Sequence, residues 1–204
     1  MTMSGLSQNW VEKTIAFHGH WCPGLAIGIR AAELALQRLG RPEAAELAAV
    51  VETDMCGVDA VQVLTGCTFG KGNLVHRDYG KMAFSFFDRK TGKGFRAILK
   101  PEIQAEMAAE IGPLMKKMNE GTITDKEKTT LEDFREARKE KFMSATLEEL
   151  FLVSELTAPA PRPARVLQSL CCETCGEMTM ESRTRKFDGK TLCIPCFEQV
   201  DQKI

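Results

Sequence analysis

Residues 17–40, FHGHWCPGLAIGIRAAELALQRLG, join a cluster of possible metal ligands to a strong helical pattern. Apolar residues recur at steps of three and four, which places them on one face of an α-helix. They are Leu25, Ile29, Ala32, Leu36 and Leu39. Pro23 suits a first helical turn and Gly40 suits a helix end. The pattern predicts a helix over residues 24–39.

Two imidazoles and a thiol precede this helix within five residues: His18, His20 and Cys22. A glycine-containing turn can aim all three at one ion. The positive end of a helix dipole also lowers the pKa of a thiol, which favours the metal-binding thiolate. Cys56 stands in the same position, between a predicted strand and a predicted helix, so we expect both thiols to ionise easily.

These residues predict a transition-metal site in the main domain. We expect its ligands to be His20, Cys22 and Cys56, with His18 and Cys67 as further candidates. The alternative is a set of small buried thiols beside a capping histidine. Lys71 and Asp59, in the same segments as these cysteines, are candidate catalytic side chains. We interpret His76 as a packed side chain of a strand rather than a ligand.

The surrounding pattern mixes helices and strands. Residues 6–17 and 58–64 favour helices, and strands are indicated at 47–53, 73–79, 82–87 and 94–99, the last two as a hairpin. Pro101 opens a long helix that Gly112-Pro113 should kink or break. Thr124 and Glu127 form a capping box before a charged helix with the apolar stripe Leu131, Phe134 and Phe142.

The C-terminal part of the chain carries five of the eight cysteines. Three prolines between Thr157 and Arg165 indicate a linker, which predicts domains at 1–156 and 167–204 around a linker at 157–166. Two Cys-x-x-Cys pairs, Cys172 with Cys175 and Cys193 with Cys196, have the spacing of a tetrahedral zinc site. Cys171 is a possible substitute for Cys172.

Composition narrows the possible partners and compartment. Lys and Arg number 27 against 28 Asp and Glu, so no global positive field attracts nucleic acid or anionic lipid. Nucleic acid and membrane are therefore not expected as partners. No apolar run approaches the roughly 18 residues of a membrane span, and no signal peptide is visible. We expect a cytoplasmic protein, in which cysteine pairs more often bind metal than form disulfides.

Segments 17–30, 54–62, 65–74 and 78–81 resemble the E-subunit family of formylmethanofuran dehydrogenase, the FmdE family, over about residues 10–155. The resemblance implies an α+β fold with a mixed sheet, a homodimer and a metal site near the matched His and Cys positions. It also implies association with the molybdenum or tungsten enzyme that reduces CO2 onto a C1 carrier. The tail resembles the zinc ribbon of some members and the four-cysteine finger of DksA/TraR-type transcription factors.

Two functional hypotheses follow. The first is a metal-binding protein with an accessory or enzymatic role in C1 or molybdoenzyme metabolism and a small molecule as ligand of the core metal. The alternative is a zinc-finger regulator that binds protein or nucleic acid, with the front domain as a ligand sensor. The sequence leaves open whether there is turnover, and it leaves open whether the core metal is zinc or another transition metal.

Overall fold

The computed structural model describes residues 5–40 and 46–201. The chain divides into two compact units, Met1–Pro163 and Ala164–Ile204. The first unit contains the helices α1 Gln8–His18, α2 Pro23–Leu39, α3 Gly57–Thr65, α4 Pro101–Asn119, α5 Asp125–Ser144 and α6 Leu147–Leu150. Its strands are β1 Leu47–Val51, β2 Leu74–His76, β3 Ala83–Asp88, β4 Gly94–Leu99 and β5 Phe151–Glu155.

The five strands form one mixed sheet in the order β2-β1-β3-β4-β5. β1 and β2 are parallel, and the other neighbours are antiparallel, with β3 and β4 forming the expected hairpin. The α+β class with a mixed sheet is thus confirmed. β5 was not predicted from the sequence, because this edge strand is exposed after Phe151 and lacks a strong apolar pattern.

α2 is the central helix of the unit. All of its residues from Leu25 to Ala35 are buried, because it contacts α1, α3, α5, α6 and β3. The predicted helix is confirmed, but its apolar side is wider than the single stripe that we predicted. Even Arg30 is only 2% exposed: it pairs with Glu33, and its Nη2 donates to the Ala145 carbonyl over 2.7 Å. The hydrogen bond from Arg30 to Ala145 ties α2 to the end of α5.

Glycines bring the N-terminal parts of α2 and α3 together. A Cβ on Gly28 would lie 2.2 Å from the Gly57 carbonyl oxygen, far inside van der Waals contact. A Cβ on Gly57 would in turn meet the Gly24 carbonyl oxygen at 3.1 Å. The two helix starts can therefore approach backbone to backbone, and each of them carries a cysteine, Cys22 or Cys56.

The long helices α4 and α5 pair through charges. Arg138 of α5 contacts Glu106 and Glu110 of α4. The capping box of Thr124 and Glu127 is confirmed. Of the predicted kink or break at Gly112-Pro113, the break does not occur, because α4 runs through Pro113. None of α4's residues, all of which the structure describes, is buried, so solvent can reach the carbonyl that proline leaves without a donor.

Part of the proline-rich segment belongs to the first unit. Leu156 and Ala160 pack against Ala48, Val50 and Phe87 on one face of the sheet. Arg89 fixes the segment further, since its Nε donates to the Pro161 carbonyl over 3.0 Å. The boundary between the compact units therefore falls at Pro163, inside the predicted linker.

The described part of the second unit contains two hairpins, a 3₁₀ turn at Glu181–Arg183 between them and a short helix. The strands and the helix are β6 Ser169–Cys171, β7 Met178–Met180, β8 Thr184–Phe187, β9 Lys190–Cys193 and α7 Ile194–Glu198. The predicted turn at Asp188-Gly189 joins β8 to β9, and both residues have positive φ, as a tight hairpin requires. Within the described part of both units, no helix combines the length and apolarity needed to cross a membrane.

Candidate metal centres

The first centre lies where α1 turns into α2. α1 ends at His18, and Gly19 follows with a φ of 90°, a conformation that favours glycine. The turn brings the His18 and His20 rings to a centroid distance of 4.4 Å. One donor atom from each of His18, His20 and Cys22 lies within 4.8 Å of the others. The chain therefore presents two nitrogens and a sulfur to one small volume.

Cys22 is the N-cap of α2, as the sequence predicts. Its Sγ accepts a hydrogen bond from the Leu25 backbone N–H over 3.4 Å and lies 3.8 Å from His18 Nε2. The same sulfur thus faces both a helix N-terminus and an imidazole. A sulfur in this position can act as a metal ligand in its thiolate form.

Cys56 approaches the group from the start of α3. A Cβ placed on Gly24 would lie 3.7 Å from the Cys56 sulfur and 4.0 Å from the Cys22 sulfur, so the two thiols flank this glycine. Burial raises the pKa of Cys56, and the adjacent Cys22 thiol raises it further. The prediction that both thiols ionise easily is therefore wrong for Cys56 when only protein groups surround it. A cation bound beside the two sulfurs would favour the thiolate.

Asp59 and Lys71 have different surroundings. Asp59 Oδ2 lies 2.7 Å from Nδ1 of His18, so the carboxylate is bonded to the far side of that imidazole. Lys71 is exposed, and its Nζ donates to the Gly66 carbonyl at the end of α3. Asp59 thus belongs to the centre through His18, whereas the contact of Lys71 is with a helix end.

Cys67 lies in the hydrophobic core rather than in this group. It is fully buried, and its Sγ donates to the Leu47 carbonyl of β1 over 3.5 Å. Burial raises the pKa of its thiol. These are the surroundings of a thiol that packs as a small apolar side chain.

An open cleft of about 520 Å³ adjoins the first centre. His18, Cys56 and Asp59 line it from one side, together with Asp54 and His76. The prediction that His76 is packed is wrong, because this residue is exposed at the end of β2. The missed signal is topological: β1 and β2 are parallel, so the residues after them meet at one edge of the sheet.

The second centre is the four-cysteine group of the tail. The sulfurs of Cys172, Cys175, Cys193 and Cys196 lie within 4.8 Å of one another. Cys172 Sγ accepts from the Cys193 backbone N–H over 3.3 Å. Backbone donors of Cys175, Cys193 and Thr174 lower the pKa of Cys172 to about 6. Four thiols gathered in this way have the composition of a structural zinc site.

Cys171 stands outside this group. It is exposed, and its sulfur points to the Gly176 carbonyl at 3.4 Å. The geometry thus selects Cys172 over Cys171, an alternative that the spacing alone left open.

A mixed sheet carrying a His/Cys cluster, followed by a compact four-cysteine unit, defines a two-domain protein of metal-binding type. Comparison with known families makes this specific. The family model described as "FmdE, Molybdenum formylmethanofuran dehydrogenase operon" matches residues 17–152, and the chain belongs to this family. The model "Prokaryotic dksA/traR C4-type zinc finger" matches residues 166–202, so the tail is a zinc finger of the four-cysteine type.

Two known proteins are similar to this chain. The chain is similar to the crystal structure of a tungsten formylmethanofuran dehydrogenase E-subunit (FmdE)-like protein from Syntrophus aciditrophicus, with 29% identity and a TM-score of 0.57 over 93% of this chain and 91% of that one. It is also 34% identical, over 88% of its length, to a "Probable S-adenosyl-L-methionine-binding protein" of Archaeoglobus fulgidus. The chain spans about half of that curated relative, 50% of its length.

Proposed function

We propose that the first unit binds an exchangeable transition metal through His18, His20, Cys22 and Cys56. The observation that carries this proposal is the convergence of donors from His18, His20 and Cys22 within 4.8 Å. Imidazole and thiolate together suit zinc and related metals. Cys56 extends the set from a second helix. Cys67 is left out of the ligand set because its thiol is enclosed in the core.

The adjoining cleft distinguishes this centre from the zinc finger. His18 and Cys56 line the cleft, so a metal held by them would have a side open to water or to a small molecule. An open position of this kind is typical of catalytic or ligand-binding metals, whereas four thiolates close a structural site. We infer that the core metal exchanges and takes small exogenous ligands, and that the finger metal does neither.

Elemental analysis of the purified chain tests the core site. Two metals per chain are expected for the wild type and one for Cys22→Ser, since the finger is unchanged in that variant. Cys67→Ala is the matched control and should retain two metals. An equal metal content in wild type and Cys22→Ser would remove the basis of the proposal.

The wider role that we propose is accessory or enzymatic, in C1 or molybdoenzyme metabolism. It is supported by the family assignment and by the similarity to the FmdE-like protein of Syntrophus. The regulator hypothesis is less well supported, because the match to a transcription-factor model is confined to the finger. Purification of the tagged chain from its host, with molybdenum and tungsten measured in the eluate, tests this role. Comparable amounts in an untagged control would contradict a stable complex.

S-adenosylmethionine is a second candidate, as a ligand of the cleft. The Archaeoglobus relative supplies the idea, and one observation favours it: the described residues that line the cleft include Asp54 and Asp59 but no Lys or Arg. A sulfonium cation fits carboxylates and the exposed apolar side chains of Met55 and Phe69 better than an anion would. Calorimetric titration should show binding that Asp54→Asn weakens; no heat with the wild-type chain would exclude it.

A further inference from the structure

The two ring nitrogens of His18 face different partners. Nδ1 lies 2.7 Å from Asp59 Oδ2, and Nε2 lies 3.8 Å from Cys22 Sγ. An ionised carboxylate can only accept, so the proton of a neutral His18 belongs on Nδ1. Nε2 then carries the free lone pair on the side where His20 and Cys22 converge.

We propose that Asp59 is a positioning residue, which holds His18 in the Nδ1–H tautomer so that Nε2 ligates the core metal. This inference rests on the proposed function. The pair spans 41 residues of sequence and joins the last residue of α1 to the first turn of α3. Metal-bound histidines commonly donate their second N–H to a carboxylate, which orients the ring and strengthens the ligand.

The carboxylate of Asp59, the imidazole of His18 and the thiol of Cys22 follow one another in a chain of contacts. Such a chain could also activate a cysteine nucleophile. The surroundings of Cys22 favour the metal instead. The His20 ring lies against His18, and the Cys56 thiol lies beside Cys22, so two further donors are present that a nucleophile does not need. The nucleophile is kept as an outcome of the test below.

Asp59 also connects two helices, so a purely structural role must be separated from a positioning role. The pair is partly enclosed, with the His18 side chain 11% exposed and that of Asp59 35% exposed. Asp59→Asn keeps an oxygen that can accept the Nδ1 proton but removes the negative charge. Asp59→Ala removes both. Asp133→Asn is a matched control, because Asp133 is an exposed carboxylate of α5 that is not among the described residues lining the cleft.

The experiment is a cobalt titration of the full chain with its zinc finger already filled with zinc. Cobalt affinity at the core should fall about 10- to 100-fold in Asp59→Ala, as expected for loss of an outer-shell partner, and less in Asp59→Asn. Asp133→Asn should bind cobalt as the wild type does. The nitrogen NMR shifts of the His18 ring, recorded before cobalt is added, should show a protonated Nδ1 in the wild type and loss of that preference in Asp59→Ala.

The outcomes separate this inference from the proposed function. If the wild type binds cobalt and Asp59→Ala binds it equally well with an unchanged His18 tautomer, Asp59 is not a positioning residue, although the metal site stands. If Asp59→Ala slows alkylation of Cys22 by iodoacetamide but leaves cobalt affinity intact, the carboxylate serves a nucleophilic thiol and our inference is overturned. If the wild type binds no cobalt, the proposed function itself fails.

Discussion

At the scale of single residues, the place of a residue in its helix or strand was easier to predict from the sequence than the residues it contacts. Cys22 was correctly placed at a helix start, because proline and the helical pattern follow it directly. The contact of His18 with Asp59 could not be predicted, since it depends on how α1 and α3 meet. Cys67 shows a further limit: a thiol is equally suited to a metal site and to an apolar core.

The ion pair between Glu52 and Arg96 should contribute to the stability of the folded chain, and this can be tested by substitution. Two bonds join them, at 2.6 and 2.8 Å, and hydrogen bonding to Arg96 lowers the pKa of Glu52. Glu52→Gln should lower the free energy of unfolding at neutral pH by about 1 to 3 kcal/mol, because the half-buried guanidinium of Arg96 loses its charged partner. Chemical denaturation across a pH series measures this.

The pH dependence has a definite sign. A lowered folded-state pKa contributes stability above the ordinary glutamate pKa, and this contribution is lost as the pH falls through the folded value. The gap between wild type and Glu52→Gln should therefore shrink on acidification. Glu155→Gln is the control, since its pair with Arg38 is exposed and is worth about 0 to 1 kcal/mol. A gap that stays constant down to low pH would contradict the account.

At the scale of elements, the close approach of α2 and α3 aligns the two cysteines. Gly28→Ala should destabilise the chain by about 1 to 3 kcal/mol, because the new Cβ overlaps the Gly57 backbone and forces the helices apart. Since Cys22 and Cys56 begin these helices, core metal affinity should fall as well. Thermal unfolding and cobalt titration measure the two effects.

Gly112→Ala provides the matched control. This substitution also replaces a helical glycine by alanine, but a Cβ at position 112 of α4 would meet nothing within 4 Å. It should stabilise the chain by up to about 1 kcal/mol and leave the metal unaffected. If both substitutions behave alike, the glycine contact does not set the spacing of the helices.

Sequence patterns predicted most elements but not their surroundings. Periodicity was enough for α2, yet burial on all sides follows from five neighbouring elements that no local pattern records. Pro113 was expected to kink or break α4, and its exposure explains why the helix is not broken there. β5 pairs with β4 at the sheet edge, a long-range contact with a weak local signal.

At the scale of the whole molecule, the tail should depend on metal for its fold. Its apolar cluster consists of Cys172, Leu192 and Cys193 with a few partly buried neighbours, which is too small to offset chain entropy. Circular dichroism of residues 164–204 should show structure with zinc and its loss in chelator. Cys172→Ser should unfold the tail, whereas Cys171→Ser should not. A tail that stays folded in chelator would contradict the zinc assignment.

Self-association is a further prediction at this scale, and it rests on the resemblance to the FmdE family. Residues 1–163, the first compact unit, should form a dimer at tens of micromolar, a usual range for such assays. Analytical ultracentrifugation decides it. A monomeric mass at all concentrations would show that the homodimer is not a property of this chain.

X-ray absorption at the cobalt edge tests the central claim most directly, when cobalt fills the core site and zinc fills the finger. The edge then reports the core metal alone. Ligation by His18, His20, Cys22 and Cys56 predicts a mixed first shell, with nitrogen at about 2.0–2.1 Å and sulfur at about 2.3 Å, the lengths of the corresponding zinc bonds. In Cys22→Ser, which is expected to lose the core metal, this cobalt signal should be lost. A shell of oxygen alone, or one of four sulfurs, would contradict the account.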